Sequence, residues 1–145
     1  MNVTACHCER SAAISFGGIV VVAVVLTTVS SALAKYSGGT GEPNDPYQIA
    51  TAADLIALGE DPNDYDKHFV LTEDIDLDPN LPGRKVFNDG AIAPLHYAYR
   101  GFATRLFTGV LDGHNHTISN LRIAGGGFLG LFGGLDLGGA IVNLG

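Results

Sequence analysis

An all-β chain built as a stacked repeat, a β-solenoid with one short helix ahead of it, is the fold class the sequence predicts, on three observations. Thr117-Ile-Ser-Asn-Leu121 recurs as Ala140-Ile-Val-Asn-Leu144, so that an Ile-x-Asn-Leu frame starts at Ile118 and again at Ile141. From Leu106 onward, short apolar stretches are punctuated by glycine, which opposes helix formation. Within His68–Leu77, Ile75 and Leu77 alternate with Asp74, Asp76 and Asp78, the period of a half-buried strand. Rungs stacked about 4.8 Å apart would set Ile118 over Ile141 in the core. The same stacking would set Asn120 over Asn143 in a side-chain ladder. The competing reading is an antiparallel hairpin or small sandwich that reuses the frame.

Composition bounds the function. The 145 residues carry 8 Lys+Arg against 15 Asp+Glu, a formal charge of −7, with 46% hydrophobic and 16% charged residues. Such a length holds at most one ordinary domain and leaves no room for a two-domain enzyme. Arg84–Lys85 is the one basic pair, too little to neutralise a phosphate backbone, so nucleic acid is not an expected partner.

The N-terminal stretch carries an address. Ser11 to Ala34 has no charged residue and is bounded by Arg10 and Lys35; its middle, Gly18–Leu26, is aliphatic. Small side chains at Ala32 and Ala34 suit a signal peptidase cutting before Lys35, so residues 1–34 are expected to be a signal peptide. The alternative is an uncleaved anchor, the one route by which the chain would meet a membrane. The Ser/Thr/Ala tail of the stretch argues for cleavage. Cys6 and Cys8 form a C-x-C pair that would leave with it, so the mature chain would hold no thiol and no disulfide. Export to the extracellular space or cell envelope follows.

Residues 35–45, rich in Ser, Gly, Thr, Pro and Asn, read as a flexible linker. Pro46–Ile49 reads as a first strand. Thr51-Ala-Ala-Asp54 fits a capping box, Ala52–Leu58 as about two helical turns, and Gly59 as a left-handed stop. Glu60–Lys67 reads as a solvated acidic turn, and Asp78–Arg105 as irregular chain carrying an aromatic cluster, His96–Phe102. The helix buries one small face and needs a partner, which the N-terminal end of the solenoid would supply.

Gly130-Leu131-Phe132-Gly133, followed by Leu135 and Ile141-Val-Asn-Leu-Gly145, resembles the GLUG motif, found in tandem copies in secreted and surface bacterial proteins, adhesin-like ones among them. Phe107–Leu121, with its Phe-x-Gly-x-x-Asp-Gly-x-x-His-x-Ile-x-x-Leu pattern, is similar to the lead-in of such proteins, as are Asp45–Leu55 and Phe69–Leu77. The resemblance implies a right-handed parallel β-helix over 46–145 and a scaffold rather than a catalytic function. Members carry many copies, whereas about one and a half are present here. The chain is therefore expected to be a fragment of a longer repeat protein, or else to pair end to end through an open last rung.

Candidate sites follow from side-chain chemistry. Asp74, Asp76 and Asp78, with Asn80, set oxygens at alternate positions, and Asp61, Asn63, Asp64 and Asp66 set more in a turn; hard oxygens point to Ca²⁺ as the one cofactor to consider. An EF-hand loop counted from Asp74 would need glycine where Pro79 stands, and a solvated strand face accounts for the same aspartates. His114-x-His116 offers two imidazoles to a metal, or a histidine that holds a turn. Tyr97, Tyr99 and Arg100 are the candidate carbohydrate site, with rings to stack on sugar faces and a guanidinium for hydroxyls or uronates. Folding back as a lid is the plainer fate of such rings. Arg100, Arg105 and Arg122 with Asp112 imitate a polysaccharide lyase cleft, but no matched acid and base accompany them. No catalytic residue is expected.

The functional expectation is an exported, non-catalytic, adhesin-like surface scaffold meeting polysaccharide or a cell-surface component through repeated weak contacts. The alternatives are a carbohydrate-binding module and a truncated β-helical lyase or hydrolase.

Overall fold

The computed structural model describes residues 34–95, 97–98, 101–102 and 105–145, the two short pairs by backbone alone. The expected signal peptide, with Cys6 and Cys8, lies outside them but for Ala34.

The chain makes repeated parallel passes. Strand β1 (Tyr47–Ile49) leads into helix α1 (Ala52–Glu60) and a 3₁₀ turn at Pro62–Asp64. Strands β2 (His68–Leu71) and β3 (Ile75–Asp76) follow, then a hairpin of β4 (Tyr97–Ala98) and β5 (Gly101–Phe102). A further pass holds β6 (Val110–Asp112) and β7 (Ile118–Ser119), and β8 (Ala140–Val142) opens the next. One parallel sheet has the order β1-β2-β6-β8; β3 pairs in parallel with β7, and β4 with β5 antiparallel. Isolated parallel bridges continue the pairing at Phe87–Ile123, Ile92–Phe132 and Phe107–Leu135.

Register explains the core. Tyr47 pairs with Phe69, Phe69 with Leu111, and Leu111 with Ile141. In-register parallel pairing puts like faces of successive strands together, so apolar residues fall in columns. Phe69, Leu71, Leu111, Ile75 and Leu77 are buried, as are Ile49 of β1 and Leu55 and Leu58 of α1. Rings continue the same packing. Tyr47 lies 5.6 Å from Phe69, Phe69 6.2 Å from Phe107, and Phe107 5.0 Å from Phe132, centroid to centroid. Tilted pairs at these separations add about 0.5–1.5 kcal/mol each beyond area burial.

Helix α1 begins as expected. The Thr51 hydroxyl accepts from the Asp54 N–H, and the Asp54 carboxylate accepts from the Thr51 N–H at 3.0 Å. Its end differs. Gly59 lies within the helix and Asp61, in extended conformation, is the C-cap. Glycine is required at 59 for space: a Cβ there would stand 2.0 Å from the Ala91 carbonyl oxygen.

The expected stack of Ile118 on Ile141 is corrected. Ile141 pairs with Leu111 and Ile118 with Ile75, so the two Ile-x-Asn-Leu copies occupy different sheets. The spacing of the copies is not the spacing of the passes, because Val110 pairs with Ala140. What the copies share is a corner. Asn120 and Asn143 both hold left-handed backbone, φ 56° and 50°, which asparagine tolerates better than most residues, and a leucine follows each. Leu137, two residues past Leu135, sits in a turn and is 94% exposed.

Residues 35–45, expected to be a flexible linker, carry specific bonds. Ser37 N–H donates to Gln48 O and Gln48 N–H to Gly38 O, laying the segment along β1. Tyr36 is only 3% exposed and packs against Tyr47, 4.7 Å between ring centroids.

Candidate functional site

The polar side chains best defined by geometry join one pass to the next. Asp76 Oδ1 accepts from the nearby Asp78 N–H and from Asn120 Nδ2 of the following pass, at 2.9 Å each. Asp112 repeats this one corner away, accepting from the His114 N–H at 2.9 Å and from Asn143 Nδ2 at 3.0 Å. Asp74 Oδ1 accepts from the Thr117 N–H at 2.8 Å and lies 3.2 Å from His116 Nδ1. Donors stabilise the charged carboxylate, so all three aspartates sit below the ordinary range. The leading cause is the Asn120 amide for Asp76, the His114 N–H for Asp112 and the Thr117 N–H for Asp74.

The Asn120-on-Asn143 ladder is therefore corrected to an aspartate–asparagine clasp made twice. A left-handed asparagine turns the corner while its amide reaches the carboxylate of the pass before. The repeat in the sequence carried the signal for the asparagines; Asp76 and Asp112 also stood out, but as a calcium candidate and a cleft residue, because their partners lie 44 and 31 residues away along the chain.

The calcium candidates separate. Asp74 faces His116 and Thr117, Asp76 faces Asn120, and Asp78 accepts from Asn80 at 2.7 Å. The second oxygen cluster holds a cation from the chain itself. Lys35 Nζ donates to Asp61 and Asp64, and the Tyr36 hydroxyl donates to Asp64 at 2.7 Å. Desolvation opposes the Lys35 ammonium, but the bonds to Asp61 and Asp64 outweigh it and hold its pKa above the usual value. Asp61 is lowered by Lys35 in turn, and burial, then Asp64, pushes Tyr36 up. Among the described residues, no three carboxylates, imidazoles or thiols come together to hold a metal ion.

Gly130-Leu131-Phe132-Gly133 runs along Ala91–Ala93. The Ala91 N–H donates to Gly130 O, Ile92 N–H to Leu131 O, and Gly133 N–H to Ile92 O. A Cβ on Gly133 would stand 2.6 Å from the Ala93 carbonyl oxygen, so glycine there permits close backbone approach. Leu131 and Phe132 pack against the core.

Tyr99 and Arg100 of the carbohydrate candidate lie outside the described residues. Tyr97 is placed by its backbone, opposite Phe102 in the β4–β5 hairpin. Arg105 donates to the Pro62 carbonyl at 3.1 Å. A shallow cleft of about 230 Å³ lies beside the end of α1, lined by Glu60, Lys85, Phe87 and Asn88 among others. Lys85 pairs with Glu60 and stands 5.4 Å from the Phe87 ring centre. No sequence pattern marked this cleft, because its walls come from separate passes.

Two known proteins are similar to the chain. Halomucin of Haloquadratum walsbyi is 38% identical over 117 residues, which is 79% of this chain and 1% of Halomucin. A putative Gly-rich membrane protein of Evansella cellulosilytica is 33% identical over 119 residues, 75% of this chain and 12% of that protein. The chain thus spans a small part of the length of these relatives. No protein-family description matches it, and no solved structure does. Among the described residues, no helix is long and apolar enough to cross a membrane.

Proposed function

We propose that this chain is a surface-associated, non-catalytic protein whose residues 46–145 are successive coils of a right-handed parallel β-helix with GLUG-type rungs. Its role in this reading is adhesin-like: exported to the cell surface, it contributes weak contacts to polysaccharide or another surface component, and repetition supplies strength. One observation carries the reading. β1, β2, β6 and β8 pair in parallel and in register, joined by crossovers that keep apolar columns inside and aspartate–asparagine clasps at the corners. Similarity to Halomucin and to a Gly-rich membrane protein agrees with a surface address.

Localisation tests it first. An epitope-tagged chain should be recovered in the medium or removed from intact cells by external protease; retention in the cytoplasm overturns the reading. Adhesion is tested by coating beads at rising density. Retention on polysaccharide-coated surfaces should rise more steeply than in proportion to density, and density-independent capture would oppose an avidity mechanism.

A second reading is favoured by the β4–β5 hairpin, an antiparallel excursion in an otherwise parallel set of passes. Tyr97 pairs with Phe102 in that hairpin, and Tyr99 and Arg100 come close after it in the sequence, residue types suited to a sugar. Glycan-array binding lost in Tyr97→Ala/Tyr99→Ala supports it, and unchanged binding removes it.

A further inference from the structure

The residues just after Ala34 are not a tether. Tyr36 is buried with its ring 4.7 Å from Tyr47 and 5.7 Å from Phe69, edge-on to the latter. Its hydroxyl is bonded to Asp64, itself only 9% exposed. The Lys35 ammonium lies on Asp61 and Asp64, which fixes the side chain of the residue before. On the other side, the Ser37 N–H donates to Gln48 O and the Ser37 hydroxyl to Asp54 at 2.7 Å. Asp54 is also the capping-box acid of α1, so this clasp joins the segment to the helix start. Three consecutive residues are thus bonded to β1, to α1 and to the 3₁₀ turn.

We propose that Ala34–Lys35 is a proteolytic processing site open only while the chain is unfolded, and that Lys35, Tyr36 and Ser37 close it when the domain folds. The proposal rests on the reading of the uncharged stretch as an export signal. A peptidase must draw several residues on both sides of the scissile bond into an extended conformation. On the C-terminal side those residues are the ones built into the fold, so cutting requires local opening, and its rate follows the small open population. The reaction is amide hydrolysis: water adds across the bond, leaving a carboxylate on Ala34 and a new α-ammonium on Lys35. The bonds of the Lys35 side chain, Tyr36 and Ser37 all lie beyond the cut and survive it. Processing therefore precedes folding, and the folded product begins with no free spacer.

The test uses the full chain in detergent micelles with purified signal peptidase. Chain added from urea should be cut to give an N-terminus reading Lys-Tyr-Ser-Gly, while prefolded chain should be cut slower by about a hundredfold or more. Tyr36→Ala should restore cutting of the prefolded chain. Because that variant could simply unfold, trypsin is applied to the unaltered prefolded chain as a second measurement. The Lys35–Tyr36 bond should resist under conditions that cut Lys85–Val86, which lies between exposed residues. Equal peptidase rates on the two forms, or trypsin cutting Lys35–Tyr36 as fast as Lys85–Val86, overturns the closure. No cut at Ala34–Lys35 in either form overturns the site but leaves the surface reading standing, whereas cytoplasmic retention in cells defeats that reading without touching the trypsin result.

Discussion

Asn120 and Asn143 each do two things at once, and substitutions can separate them. At φ 56° and 50°, an L residue with a Cβ and no local polar compensation is strained by about 1–2 kcal/mol. Asn120→Ala should therefore lose that amount plus the bond to Asp76, whereas Asn120→Gly should lose chiefly the bond. Urea unfolding should rank wild type above Gly and Gly above Ala; a Gly variant no better than Ala would deny the left-handed corner its role. The carboxylates supply a pH signature. Asp74, Asp76 and Asp112 have folded pKa values depressed below the ordinary 3.8, so the unfolded chain takes up protons first as acid is added. Their contribution is complete above the unfolded value and is lost as pH falls through the folded ones. The stability gap between wild type and Asn120→Gly should accordingly be widest near neutrality and shrink below about pH 4, as Asp76 becomes a poorer acceptor.

Helix α1 shows how little an element can hold by itself. Its nine residues are too few to persist alone in water, so it depends on Leu55 and Leu58 in the core and on its cap. Thr51→Ala removes the hydroxyl that accepts from the Asp54 N–H and should cost about 1 kcal/mol. Since Asp54 also binds the Ser37 hydroxyl, hydrogen exchange should quicken in the 36–38 segment as well as in the helix. Exchange confined to the helix would mean the two are uncoupled. At the far end, Gly59→Ala tests the other constraint on the element. Helix propensity favours alanine there by roughly 1 kcal/mol, but the Ala91 carbonyl stands 2.0 Å from the new Cβ. The clash should win, and the variant should unfold at lower urea concentration than wild type.

Across the whole molecule, the rings tie the passes together. Phe107 lies between Tyr65 at 6.2 Å, Phe69 at 6.2 Å and Phe132 at 5.0 Å, and it is fully buried. Phe107→Ala should cost about 3–5 kcal/mol, a large share of the roughly 5–15 kcal/mol that a domain commands. Denaturation followed by circular dichroism should show a midpoint far below wild type; a shift equivalent to less than about 1 kcal/mol would mean the passes do not share one core. The apolar columns run outward from buried Leu111 to Ile141, which is 37% exposed and borders the edge of the sheet. Among the described strands, β8 is paired with β6 along one of its edges.

Local chemistry was legible in the sequence and distant pairing was not. The capping box at Thr51 and Asp54, the strands at Tyr47–Ile49 and His68–Leu71, and the alternation that buries Ile75 and Leu77 each depend on neighbours within a few residues, so the order of residues was enough. The Ile-x-Asn-Leu frame was likewise a true local signal, for a left-handed asparagine corner followed by a leucine. Which strand lies beside which was decided by tertiary structure. Passes of unequal length bring Leu111, not Ile118, to Ile141, and a sequence period cannot report a register set by intervening loops. The same holds for polar partners. Asp76 with Asn120, and Lys35 with Asp61 and Asp64, are joined only because the backbone returns to them, and a carboxylate that reads as solvated or metal-binding along the chain becomes a fastening between passes once its donor arrives.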